Sequence, residues 1–79
     1  MNKQEIEIFS LLKHKQETCT RLLEKMREQM KAVDTQDESR LATIIEEKEA
    51  LIAGLNETDQ KIAGLARDLD QTILASLTS

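Results

Sequence analysis

The 79-residue chain has no proline, no tryptophan and no tyrosine, and Phe9 is its one phenylalanine. Without aromatics any core must be aliphatic, and the stacking platform that single-stranded nucleic acid needs is missing. A single cysteine, Cys19, excludes an internal disulfide framework and fits a reducing compartment. His14 is also the sole residue of its kind. Five positions apart on a helix, it and Cys19 point in directions about 140° apart, so they form no metal pair, and no other Cys/His cluster exists. His14, between Lys13 and Lys15, reads as a solvated surface residue. No apolar run approaches bilayer length, and the N-terminal stretch Met-Asn-Lys-Gln-Glu-Ile-Glu has no signal-peptide apolar region. The expected location is therefore the cytoplasm, without membrane insertion.

Basic residues are scarce in the second half. Residues 1–33 carry seven Lys/Arg against five Glu, leaving +2, and residues 34–79 carry four against ten Asp/Glu, leaving −6. Their sum is the net −4 of the chain. An acidic chain without a basic cluster argues against DNA or an anionic membrane as partner. Setting the two halves side by side gives a modest, salt-sensitive preference for antiparallel pairing.

What remains is a mixture rich in Leu, Ile, Ala, Glu, Lys and Gln, with 39% hydrophobic and 33% charged residues, the composition of long helices and coiled coils. Asn2 with Glu5 has capping-box spacing, so a first helix is expected over about 3–33. Its apolar stripe reads Ile8, Phe9, Leu12, Cys19, Leu22, Leu23, Met26, Met30 and Val33, with a polar gap at Lys15 and Gln16. Residues 34–40, Asp-Thr-Gln-Asp-Glu-Ser-Arg, interrupt the pattern. Thr35 with Glu38 repeats the capping-box signal, placing a turn at about 34–36 and a second helix over about 36–76. The second stripe reads Leu41, Ile44, Ile45, Leu51, Ile52, Leu55, Ile62, Leu65, Ala66, Leu69 and Ile73. Its gaps are Lys48, then Thr58 and Asp59.

The two stripes differ in phase by one residue. The frame of residues 12, 19, 26 and 33 would continue at Arg40 and Glu47, yet the seam sits at Leu41, Lys48 and Leu55. A continuous helix would need its seam to rotate by about 100° there; a reversal explains the shift more simply. The expected fold is all-α: an antiparallel, coiled-coil-like hairpin forming a single domain over residues 1–79. Folding back pairs Val33 with Leu41, Met30 with Ile44, Cys19 with Leu55 and Leu12 with Ile62, and brings the polar gaps together as Lys15 opposite Asp59. That pair reads either as a register-fixing layer or as a solvated seam edge. Cys19 is expected in the core rather than as a nucleophile. Ile73, Leu74 and Leu77 overhang the start of helix one and form a candidate dimer contact. A hairpin of this size buries one side of each helix, so a homodimeric four-helix bundle or a partner helix is expected to complete it.

Gly54 and Gly64, in the repeat Ile52-Ala-Gly-Leu55 and Ile62-Ala-Gly-Leu65, mark either a close backbone approach or two tolerated weak spots. Glu46, Glu47 and Glu49 diverge around a helix and cannot aim at one reacting atom. Both glycines lie in helical pattern, so no phosphate loop exists. No catalytic constellation is present, and neither an enzyme nor a cofactor is expected. Met26 and Met30 are the residues to weigh, since methionines at helical spacing serve both ordinary cores and adaptable helix-binding grooves.

The stretch from Asp37 to Leu55, with its acidic turn, Leu41, Ile44-Ile45, Lys48 and Leu51-Ile52, resembles the central helix of flagellar export chaperones of the FlgN and FliT type. The likeness extends over about residues 8–69. It implies a cytoplasmic chaperone that shields an amphipathic helix of a flagellar or type III secreted subunit before export. The residues it marks for partner binding are Leu41, Ile44, Ile45, Lys48, Leu51, Ile52 and Leu55, beside which Met26 and Met30 would stand. The competing reading is a structural coiled-coil protein whose hairpins dimerise into a four-helix bundle.

Overall fold

The computed structural model describes residues 2–78. It is an all-α antiparallel hairpin of two helices, α1 (Lys3–Asp34) and α2 (Glu38–Thr78), forming a rod of 64 × 17 × 14 Å. Helix α1 starts where its cap requires: Asn2 has extended backbone and its Oδ1 accepts the Glu5 N–H at 2.8 Å. Helix α2 runs unbroken through Gly54 and Gly64.

The reversal takes three residues. Thr35 is still in the α region, Gln36 has a left-handed φ of 57°, and the Asp37 N–H returns to the Ala32 carbonyl at 2.9 Å. With the Gln36 N–H on the Val33 carbonyl at 3.1 Å, this is a Schellman termination. Asp37 also opens α2, its Oδ1 accepting the Arg40 N–H at 3.0 Å. The cap is thus Asp37 and not the expected Thr35. Thr35 cannot serve because its hydroxyl bonds backward to the Lys31 carbonyl, closing α1. Helix α2 accordingly begins at Glu38, two residues later than expected.

The main correction concerns the phase of α1. Besides Gln4, Glu5 and Glu28, its protected positions are Ile8, Leu11, Lys15, Thr18, Leu22, Lys25, Gln29 and Ala32, at alternating steps of three and four. Leu12, Cys19, Leu23, Met26, Met30 and Val33, expected in the seam, are exposed, as is Phe9. The proposed facing of Cys19 with Leu55 and of Leu12 with Ile62 therefore fails by one residue on α1. Two features favour the observed rotation. The three-residue connection brings the helices together at once, and the small Ala32, 2% exposed, lies at that close approach while Val33 is exposed. The lysines at inner positions also reach acceptors, with Lys25 Nζ bound to Glu28 at 3.2 Å and to Glu47, and Lys48 Nζ donating to Gln29 Oε1 at 2.8 Å.

On α2 the inner seam is Leu41, Ile44, Lys48, Leu51, Leu55, Thr58, Ile62, Leu65 and Leu69. Ile44, 2% exposed, is the one large side chain that is fully buried among the described residues. Thr18 and Thr58 are buried mid-seam with their hydroxyls bonded to their own helices, at His14 O and Gly54 O (3.0 and 2.9 Å). No buried side-chain donor or acceptor is left unsatisfied among the described residues. The close approach read into Gly54 and Gly64 is not made within the hairpin, since a Cβ at either would meet nothing within 4 Å.

Candidate helix-binding face

The one-residue rotation gives α1 two stripes. The inner one, facing α2, is half polar: Lys15, Thr18, Lys25 and Gln29 alternate with Ile8, Leu11, Leu22 and Ala32. The outer one, one position further along, reads Phe9, Leu12, Gln16, Cys19, Leu23, Met26, Met30 and Val33, and only Gln16 breaks it. It has the same alternation of three and four, so it is a second heptad seam beside the first. On α2 the corresponding outer stripe is Ala42, Ile45, Glu49, Ile52, Asn56, Asp59, Ala63, Ala66, Asp70 and Ile73, apolar at six of its ten positions.

Both outer stripes lie on one flank of the hairpin. In an antiparallel pair the positions that follow the second seam residue of each heptad face the same side. The surface grooves agree with that geometry. Near the turn, Met26, Met30 and Val33 share a groove with Lys48, and at the open end Glu5, Leu69, Ile73 and Leu77 share another. The opposite flank is lined by Arg21, Glu24, Lys25, Glu47, Ala50 and Leu51 in one groove and by Glu7, Ser10, Leu11, Lys61, Gly64, Leu65 and Asp68 in another. Charged side chains gather on that long side of the rod, and most of the large exposed apolar ones on the other.

Exposure on the apolar flank is large, with Met30 at 69%, Phe9 at 58% and Leu23 at 49%. Exposed apolar side chains gathered on one flank are the feature by which contact sites are recognised. The polar residues of this flank lie mainly on α2. Lys15 Nζ meets Asp59 Oδ1 at 2.7 Å, the two side chains being half-exposed, and this pair holds the Lys15 ammonium above the ordinary lysine range through the hydrogen bond first and the charge second. Lys25 is raised likewise, by hydrogen bonds to Glu47 and then Glu28. Lys48 reaches only the neutral Gln29 amide, and no carboxylate lies within ion-pairing distance of it among the described residues.

The sequence-predicted partner-binding set divides between the two faces. Leu41, Ile44, Lys48, Leu51 and Leu55 are inner-seam residues engaged with α1, whereas Ile45, Ile52, Met26 and Met30 stand on the apolar flank. The overhang residues Ile73, Leu74 and Leu77 are exposed at the open end. Sequence reasoning missed Phe9, Leu12, Cys19, Leu23 and Val33 as outer residues. The signal lay in the doublets Ile8-Phe9, Leu11-Leu12, Leu22-Leu23, Ile44-Ile45 and Leu51-Ile52, each of which gives one residue to the inner seam and its successor to the outer. Among the described residues no group of three or more His, Cys, Asp and Glu could hold a metal ion, and no helix is long and apolar enough to cross a membrane. No protein-family model, curated protein or solved structure matches the chain.

Proposed function

We propose that this chain is a non-enzymatic helix-binding protein that holds an amphipathic helix of a partner protein along its apolar flank. The observation that carries this reading is the distribution of apolar residues on α1, whose richer stripe is turned away from α2 and left uncovered. A client helix laid there buries aliphatic surface, worth about 25 cal/mol per Å², and does so by the helix-in-groove mode. Met26 and Met30 suit such a site because unbranched thioether side chains adapt to different clients. Lys48 at the edge of the groove favours a client with a carboxylate near that end. The resemblance to FlgN and FliT type chaperones gives the client class: an amphipathic helix of a flagellar or type III secreted subunit, kept from polymerising in the cytoplasm before export.

The test is affinity capture from the source cell with the chain and with its Leu23→Asp/Met30→Asp variant. Recovery of a filament, hook-associated or needle subunit by the former and its loss with the latter is the expected outcome. Equal recovery by both, or recovery of neither class of subunit, contradicts the reading.

A further inference from the structure

We propose that in the absence of a client the apolar flank is closed by a second copy of this chain, the two hairpins stacking with their turns at the same end. The inference goes beyond the client-binding role and stands on three observations. The first is the size of the core. Ala32 and Ile44 are the only fully buried apolar residues among those described, in a rod 64 Å long. So small a core in a chain of this length is ordinarily completed by association.

The second is the match between the two outer stripes. A two-fold axis parallel to the rod places α1 of one copy antiparallel to α2 of the other at the same level. Leu23 then faces the partner's Ile52, Met30 faces the partner's Ile45, and Val33 faces the partner's Ala42. Toward the open end the large Phe9 and Leu12 meet the partner's Ala66 and the partner's Ala63, a large-to-small fit. Gln16, the one polar residue of the α1 stripe, falls opposite the partner's Asp59, polar against polar. Met26 and Cys19 are the exceptions, opposite the partner's Glu49 and the partner's Asn56.

The third is charge. This arrangement lays the +2 segment against the −6 segment of the partner, and it sets Arg27 beside the partner's Glu46 at the edge of the contact. Neither side chain makes an ion pair with another described residue of the hairpin. The alternative, with turns at opposite ends, stacks α1 on α1 and α2 on α2, so the net-positive segments meet each other and the acidic helices meet each other.

The test is sedimentation equilibrium combined with a distance measurement between spin labels at Ser39→Cys in a Cys19→Ser background. A dimer at tens of micromolar with a label separation below about 25 Å is expected; turns at opposite ends would separate the labels by more than about 40 Å at 1.5 Å per helical residue. Arg27→Glu should weaken the dimer about tenfold, since it replaces two exposed ion pairs by repulsions, and adding Glu46→Arg should restore it. Glu49→Leu should tighten it. A chain that remains monomeric at these concentrations overturns the proposal, as does the long separation or a charge swap that restores nothing. No client enters these measurements, so they read the dimer whether or not the client-binding role holds.

Discussion

The inner and outer stripes of α1 are one residue apart and follow the same heptad rhythm, yet they differ in kind. The inner stripe holds the hairpin together with four polar residues among its eight, while the outer stripe has seven apolar residues among its eight and faces away. Apolar content therefore did not decide which face turned inward. The observed phase instead places the small Ala32 beside the three-residue turn and gives Lys25, Lys48 and Lys15 acceptors. Polar seam residues add little to stability but discriminate between registers, whereas a purely apolar stripe tolerates many partners. A helix with the polar seam inside and the apolar seam outside is specified toward its own chain and adaptable toward others.

That contrast can be broken most severely at the adjacent residues Ile44 and Ile45. Ile44→Asp places a charge at the one fully buried large side chain and should cost more than about 4 kcal/mol, abolishing the hairpin. Ile45→Asp, on the exposed flank, should change hairpin stability by less than about 1 kcal/mol while removing association. Circular dichroism melts at dilutions where both variants are monomeric separate the two effects. Making the inner seam apolar sharpens the comparison: Lys25→Leu should raise the melting temperature of the hairpin and weaken its preference for a single register, visible as doubled amide resonances.

Smaller effects belong to the backbone. Gln36 occupies a left-handed conformation that glycine adopts without steric cost, so Gln36→Gly should raise stability by about 1 kcal/mol in chemical denaturation. The pH dependence is smaller still. Because the Lys15 and Lys25 values are raised on folding, their pairs contribute fully below the ordinary lysine pKa of 10.5. That contribution fades as the pH rises through the higher folded-state values, so a shallow loss of melting temperature is expected only in the strongly alkaline range.

Much of the architecture was legible in the residues. The polar stretch at 34–40 marked the reversal, Asn2 with Glu5 marked the start of α1, and the coincident gaps foretold the facing of Lys15 and Asp59. The phase of α1 was not legible, because doublets such as Leu22-Leu23 satisfy two seams equally and apolar counting favours the richer one. What broke the tie, namely the tight turn at Ala32 and the reach of the lysines, acts between residues far apart in sequence. The cap of α2 was misplaced for a related reason. Thr35 has the right side chain, but the Schellman bonds keep it inside α1 and pass the cap to Asp37. For the candidate face, only Ile45, Ile52, Met26 and Met30 were marked in advance, and what joined them into one flank was the observed rotation.

The inner-versus-outer assignment is tested most directly by intramolecular disulfide trapping. In a Cys19→Ser background, Leu22→Cys with Leu51→Cys is compared with Leu23→Cys with Leu51→Cys, both oxidised at high dilution. The 22–51 pair should close at least about tenfold faster, because a bridge forms only where Cβ atoms already face one another at close range. Faster closure of the 23–51 pair would show that the apolar stripe faces inward, and would contradict the two-faced helix on which the binding face rests.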